Sequence, residues 1–297
     1  MEFRQLQHFL AAARHGTLHA AAEAAGLSQP ALTKSIRRLE HQLGATLFER
    51  HPRGVRLTAY GEALALHAAA LEAELRHAED ALRTLRLTAR GLVRVGAGPS
   101  MGTTLLPAVA ARLLAQGPAV QLQIRSGLND TLLSWLQRGE LDFAITTMPA
   151  QPISPAVTHE RLFIDQVVVS ARQNHPLAGR RVPLTALADA RWVLPNREVL
   201  TRVRLEELFA EHGLGKPDIR IETDSFPFTL ETIRSTDVLG YLPNQLLTRH
   251  SLIALNVPGA TWQRRVCLSY WRGRAATPAS RLFRDILQQI TSELYSD

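Results

Sequence analysis

Cysteine is all but missing from this sequence: Cys267 stands alone among 297 residues. A single thiol cannot form an internal disulfide or a cysteine-based zinc cluster, and it fits a reducing compartment. Long apolar runs are missing as well. No stretch approaches the ~18–20 residues that a membrane-spanning helix needs. The opening MEFRQLQHFL has no apolar core ahead of a small-residue cleavage site, so no secretory leader is read there. Motifs of hydrolytic and metal chemistry are absent too. There is no G-x-S-x-G and no H-E-x-x-H, and His15-x-x-x-His19 straddles a helix break expected at Gly16. The run Gly96-Ala97-Gly98-Pro99-Ser100-Met101-Gly102 follows a strand, but its spacing is G-x-G-x-x-x-G and Pro99 stiffens the turn. The next strand ends at Arg125-Ser126-Gly127, without the acidic residue that would hold a ribose. These absences predict a soluble cytoplasmic protein with no membrane partner, no catalytic residues, no cofactor and no metal.

What is present is an ordinary globular composition, 45% hydrophobic and 21% charged, enough for two or three domain-sized cores. The net charge is +7, and it is unevenly placed. Residues 1–58 hold seven Arg and one Lys against Glu2, Glu23, Glu40 and Glu49, a surplus of four, and five of the eleven His. Charge gathered in one segment points to nucleic acid better than total charge does; the alternative is a solvated helical face.

The order of elements in that segment favours nucleic acid. Phe3, Leu6, Phe9, Leu10 and Ala13 recur at helical spacing, and Gly16 ends the helix. Thr17 caps a second helix with a small face of Ala21, Ala22 and Ala25. Gly26 follows at the left-handed C′ position, and Leu27 plugs the turn. Ser28 supplies an N-cap hydroxyl and Pro30 sits in the first turn of a third helix. Leu32, Ile36, Leu39 and Leu43 form its apolar stripe, while Gln29, Thr33, Lys34, Arg37 and Arg38 occupy the opposite face. Two helices, a glycine turn and a basic helix make a helix-turn-helix layout. Glu49 to Leu57, tipped by Pro52-Arg53-Gly54, reads as a wing; an unrelated three-helix bundle is the alternative.

The runs Ala20-Ala21, Leu27-Ser28-Gln29-Pro30-Ala31-Leu32-Thr33, Ile36-Arg37-Arg38-Leu39-Glu40, Leu43-Gly44, Leu47-Phe48-Glu49-Arg50 and Leu57-Thr58-x-x-Gly61 carry a resemblance. Over about sixty residues the chain resembles the N-terminal half of LysR-type transcriptional regulators, and its length and domain order agree. We therefore expect Gln29, Pro30, Thr33 and Lys34 at the major groove, with Ser28 also among the DNA-binding residues. A Gln can bond adenine bidentately, and Pro and the Thr methyl can meet thymine methyls. Arg37, Arg38, Arg50 and Arg53 are expected on phosphates or in the minor groove.

Thr58 can cap a helix running to about Thr88. In it Leu64, Ala68, Leu71, Leu75, Ala78, Leu82 and Leu85 form a heptad seam. So narrow a stripe needs a partner helix or a groove in its own domain. The family resemblance implies the former: a linker helix that pairs two heads on an inverted-repeat site of double-stranded DNA, in a homodimer or homotetramer.

Beyond Arg90-Gly91 strands and helices alternate, as in a parallel sheet covered by helices. Strands are read at Leu92–Gly96, Val120–Arg125, Asp142–Thr146, Gln166–Ser170, Trp192–Leu194, Asp218–Glu222, Val238–Leu242 and Arg265–Trp271. Helices are read from about Gly102, then at Asp130–Gln137, Arg202–Glu211, Thr229–Arg234 and Pro278–Leu294. The chain is thus read as α/β overall: a winged helix-turn-helix at 1–58, a linker helix at 59–89 and a two-lobed domain at 90–297. The first lobe takes about 90–162 and 266–297, the second about 163–265. This two-lobed domain resembles the periplasmic-binding-protein-like effector domain of the same family.

Ligands of open α/β sheets sit beyond the C-terminal strand ends. That rule nominates Pro99, Ser100, Met101, Thr103, Asn129, Thr146 and Thr147 in the first lobe, and Arg197 and Phe226 in the second. Hydroxyls and free N–H groups after Gly98 favour a carboxylate or sulfonate, although they also serve as helix caps. The resemblance implies a small-molecule effector in the cleft that alters head spacing, DNA bending and contact with RNA polymerase. The run Ser235-Thr236-Asp237-Val238-Leu239-Gly240-Tyr241 departs from the Gly-rich pattern of many members. A solute-binding module, or an enzyme on the two-lobed domain, are alternatives of other classes. Cys267, in an apolar strand, reads as a core thiol, with redox sensing as its alternative.

Overall fold

Helix stop and start signals are met in turn along the N-terminal segment of the computed structural model, which describes residues 1–52, 54–87, 91–116, 120–149, 154, 156–272 and 277–295. Side chains 50, 77, 80, 81 and 83–87 also lie outside the description. Helix α1 (Phe3–His15) opens with the Gln5 side chain accepting from the Glu2 N–H at 2.7 Å. Thr17 caps α2 (Leu18–Ala24) by accepting from the Ala20 N–H. After α2, Gly26 takes φ +65°, and Leu27 N–H bonds back to Ala22 O at 2.9 Å, the 6→1 closure of a Schellman turn. Ser28 then caps α3 (Gln29–Leu43). Ala12, Ala21 and Ala22 meet Leu32 and Ile36 in one buried cluster, so small side chains set how closely α2 and α3 approach.

The wing consists of β1 (Phe48–His51) and β2 (Gly54–Leu57), paired antiparallel with His51 opposite Gly54. It is tied down at both ends. Val55 N–H donates to Gly16 O at 2.8 Å, and Glu40 Oε1 accepts from Leu47 N–H at 2.8 Å. Thr58 N–H reaches Leu47 O at 3.0 Å while its hydroxyl caps Gly61 N–H at 3.1 Å. Helix α4 (Ala59–Leu87) follows; the expected end near Thr88 lies outside the described residues. Its seam divides. Ala68 and Ala69 are buried with Leu6, Phe9, Leu10, Leu39 and Leu47, and Leu64 packs against them. Leu71, Leu75 and Leu82 remain 51%, 46% and 55% exposed. The first stretch of the stripe therefore packs within its own domain, and the later leucines are exposed.

Backbone contacts divide the chain into two units, Met1–Gly91 with Ser134–Asp142, and Leu92–Leu133 with Phe143–Asp297. In the second unit β3 (Gly91–Ala97) leads to α5 (Pro99–Thr104) and α6 (Leu106–Gln116). The sequence reads a single helix there. Two short ones form because Pro107 has no N–H to give and its ring displaces the preceding turn. Next come β4 (Val120–Ser126), α7 (Asn129–Gln137) and β5 (Phe143–Thr147). Then β6 runs for sixteen residues, Val157–Arg172, far beyond the expected Gln166–Ser170. The second lobe adds β7 (Arg191–Leu194), α8 (Leu200–Glu211), β8 (Asp218–Glu222), α9 (Phe226–Ser235) and β9 (Gly240–Pro243). Neither α10 (Asn244–Arg249) nor β10 (Leu252–Ala254) has a counterpart in the sequence reading. Finally β11 (Trp262–Trp271) and α11 (Pro278–Tyr295) return to the first lobe.

One seven-stranded sheet has the order β10-β6-β11-β5-β3-β4, with β9 also on β6, and β7-β8 form a separate parallel pair. Strand β3 runs parallel to β5, and β11 antiparallel to both β5 and β6. The first core holds Val93, Val95, Phe143, Phe163, Val266, Phe283 and Leu287; the second holds Val167, Val169, Trp192, Leu205, Phe209 and Tyr241. Among the described residues no helix is long and apolar enough to cross a membrane.

A Cβ on Gly61 would sit 2.2 Å from Leu47 O. Glycine-to-alanine in a helix ordinarily gains about 1 kcal/mol. Here the backbone clash reverses the sign, and Gly61→Ala should cost about 1–3 kcal/mol, read as a lower urea midpoint for the head. An unchanged midpoint would show that the approach is not tight.

Candidate nucleic-acid interface and ligand cleft

Helix α3 turns its apolar stripe inward through Leu32, Ile36 and Leu39. The 3.6-residue period therefore sends Gln29, Pro30, Lys34, Arg37 and Arg38 to the exposed face, with Thr33 half-buried between. Gln29, Pro30, Thr33, Lys34 and Arg37 line one open concavity. A second one between α3 and the wing is lined by Thr33, Arg37, Glu40, Phe48 and Val55. Ser28 Oγ accepts from Ala31 N–H at 3.4 Å, and Thr33 Oγ1 donates to Gln29 O at 2.8 Å. Both hydroxyls are thus engaged in the helix, which leaves the Thr33 methyl for an apolar contact. Glu40 is engaged by the wing backbone. Among the described residues no carboxylate pairs with Lys34, Arg37 or Arg38. Arg50 lies on β1 opposite Val55, its side chain outside the description, and Arg53 is not among the described residues.

A basic helix face with unneutralised cations, flanked by a wing, is suited to a polyanion. His8, on α1, bonds Ser35 of α3 at 2.7 Å and keeps a lowered pKa through burial and the nearby Arg4 charge. It therefore braces α3 as a neutral ring rather than adding to the positive face.

In the second unit the nominated residues separate into groups. Pro99 starts α5, and Met101 is buried in the first core. Thr103 Oγ1 donates to Pro99 O at 3.0 Å, and the neighbouring Thr104 to Ser100 O at 2.9 Å. Ser100 Oγ faces Arg264 Nη2 at 3.4 Å. Asn129 Oδ1 accepts from Thr147 N–H at 3.3 Å and so joins two strand-end loops. Thr146 points to the other face of β5, where its hydroxyl lies 3.4 Å from Cys267 Sγ and 3.5 Å from Ser269 Oγ. His159 Nδ1 completes that buried group at 2.7 Å from Ser269 Oγ.

Arg197 is exposed on the loop after β7. Arg202, 2% exposed, positions that loop: its guanidinium donates to Pro195 O at 2.9 Å and pairs with Glu206 and Glu222. Phe226 packs against the second lobe's other apolar cluster with Leu230 and Ile233. No hydrogen bond links Arg197 or Phe226 to Ser100, Asn129 or Thr147 among the described residues.

The sequence reading overlooked Asp165 and Arg264, which are buried directly opposite each other on β6 and β11. The only local signal was that each charge stands between apolar residues two positions away on either side, Phe163 and Val167 around Asp165, Trp262 and Val266 around Arg264. Among the described residues no group of three or more His, Cys, Asp or Glu could hold a metal ion.

Comparison with known proteins agrees with this arrangement. Residues 3–62 match the model of the bacterial regulatory helix-turn-helix protein, lysR family, and residues 87–291 match the LysR substrate binding domain. The HTH-type transcriptional regulator PcaQ of Agrobacterium fabrum is 33% identical over 240 residues, 80% of this chain and 77% of that one. The SDS degradation transcriptional activation protein of a Pseudomonas species is 33% identical over 294 residues, 96% of this chain and 95% of its own. Full-length CbnR, solved in complex with its target DNA, aligns at a TM-score of 0.65 and 20% identity, over 98% of this chain and 100% of that one.

Cys267 is 0% exposed, and burial pushes its thiol up from the ordinary value against hydrogen bonds from Thr146 and Ser269. A protonated, enclosed thiol reacts slowly. Labelling by a water-soluble disulfide reagent should be negligible in the folded protein and rapid in denaturant. Fast labelling under native conditions would restore the redox alternative.

Proposed function

Because the chain belongs to the LysR family of bacterial transcriptional regulators, with a DNA-binding head and an effector-binding domain, we propose that a small organic anion switches how it holds double-stranded DNA. The carrying observation is the unneutralised face of α3, where Gln29, Pro30, Thr33, Lys34 and Arg37 share one concavity. Gln29 reads a base edge, Pro30 and the Thr33 methyl meet thymine, and Lys34, Arg37 and Arg38 hold phosphates, with Ser28 at the helix start. Arg50 and Arg53 extend the contact through the wing.

Leu71, Leu75 and Leu82 supply the seam through which two copies pair, so that the site is an inverted repeat and the assembly a homodimer or homotetramer. We divide the chain into 1–58, 59–89 and 90–297, with lobe boundaries near 162 and 265 where the strands change cores. The effector, a carboxylate or sulfonate, meets the strand-end residues Pro99, Ser100, Thr103, Asn129 and Thr147, faced by Arg197 and Phe226, while Met101 and Thr146 support these loops from the core side. It acts through unequal affinity for two arrangements of the assembly, and the change is read by RNA polymerase. The protein works in the cytoplasm, catalyses nothing and carries no cofactor.

Gln29→Ala should weaken binding to a specific site by about 1–3 kcal/mol and binding to random DNA much less, whereas Lys34→Ala should weaken both and lower the salt slope by about 1. Equal losses for Gln29→Ala on both DNAs, in a fluorescence-anisotropy titration, would remove it as a base reader. Leu71→Glu with Leu75→Glu should leave the head folded but abolish dimeric binding in a gel shift; full affinity in that variant excludes the seam.

A further inference from the structure

On one face of β6, Phe163 enters the first core and Val167 the second, and the residue between them is Asp165, opposite Arg264 of β11. An ion pair at the seam of two apolar cores gives up hydration on both sides. Asp165 is 0% and Arg264 8% exposed. Only part of their bonding capacity is used. Asp165 Oδ2 pairs with Arg264 Nη2, while Asp165 Oδ1 and Arg264 Nε are buried without a partner. Nε and Nη2 share one edge of the planar guanidinium. One ion pair therefore holds both an unfilled donor and an unfilled acceptor, each bearing its desolvation cost.

The surroundings are polar and carry one surplus positive charge. Ser100 Oγ lies 3.4 Å from Arg264 Nη2. Exposed Arg249 reaches Thr104 O at 3.5 Å and has no carboxylate partner among the described residues. The Tyr295 ring stacks on Phe163 with centroids 3.5 Å apart. Burial raises the Tyr295 phenol, which bonds Thr104 and feels the charges of Asp165, Arg264 and Arg249. Burial also pushes the Asp165 carboxyl up, against the pull of Arg264 and a hydrogen bond from the Gln166 backbone N–H.

Building on the effector-binding reading, we propose that this corner is the anion subsite and takes a small carboxylate bearing a hydroxyl on the adjacent carbon. The carboxylate accepts from Arg264 Nε and neutralises the charge shared with Arg249, while the hydroxyl donates to Asp165 Oδ1. A plain carboxylate fills one of the two positions; the corresponding amide brings no charge. Because the pair sits on both strands that cross between the cores, a ligand bridging it favours one setting of those strands over another.

The test uses the full-length protein and ligand-observed saturation-transfer NMR with glycolate, the smallest molecule carrying both groups, beside acetate and glycolamide. Glycolate should bind roughly tenfold more tightly than acetate, and glycolamide should not bind. Arg264→Gln alone strands a buried carboxylate, so the paired variant Asp165→Asn with Arg264→Gln, which keeps the volume and removes both charges, makes the comparison. It should melt as the wild type does and lose glycolate. Arg249→Gln, at an exposed position, should weaken glycolate severalfold with the melting temperature unchanged, and decides the matter if the paired variant does not fold.

Equal affinity for glycolate and acetate, no glycolate binding to the wild type, or undiminished binding in either variant overturns the proposal. A gel shift on the same preparations separates the two readings. Protein that binds DNA but not glycolate loses this inference alone; protein that binds no DNA loses the regulator reading.

Discussion

The antiparallel pairing of β6 with β11 carries the chain between two hydrophobic cores, and the second unit depends on its register. Trp262 opposite Val167 and Val266 opposite Phe163 fix which side chains enter which core. A slip of one residue would turn both sets to the wrong face. Among the described residues two strands cross, so each lobe keeps its own apolar side chains while sharing one continuous sheet. Strand-end loops from both lobes are then held by rigid elements, as Arg202 holds the loop after β7 and Asn129 holds Thr147.

The head follows different physics. Its core is small, and its geometry rests on close backbone approach rather than on volume. Alanines at 12, 21 and 22 bring α1, α2 and α3 together, and Leu47 O lies against Gly61. Polar ties then fix the wing through Glu40 and Gly16. The exposed face of α3 is what remains when Leu32, Ile36 and Leu39 are buried, so fold and basic surface come from one periodic pattern.

That dependence explains what could be read from the sequence. Caps and stops in the head are local: Thr17, Gly26, Ser28 and Pro30 act within a few residues, and the observed helices start and end beside them. The full length of β6 was not local. His159, Glu160 and Asp165 break the apolar pattern of a strand, and their partners lie far along the chain, on β11 for His159 and Asp165 and on α11 for Glu160. The same limit hid Arg264, whose meaning lies in a residue 99 positions away. Thr146 shows the converse. Its place at a strand end was legible, but the face on which its hydroxyl falls was set by pleat parity and by Cys267 and Ser269 across the ladder. Short α10 and β10 carried too few periodic positions to stand out.

The division of α4 has a mechanical consequence. Its first turns belong to the core of the head, through Leu64, Ala68 and Ala69, and Arg14 on α1 pairs with Glu72 further along. The head cannot pivot on this helix without breaking its own interior. If two copies pair through Leu71, Leu75 and Leu82 as proposed, the head becomes the blade of a lever with that stretch as its shaft, and a small rotation of the shaft would sweep α3 in proportion. Adaptation to a different operator spacing would therefore come from lengthening or re-phasing the shaft, while the blade stayed as it is.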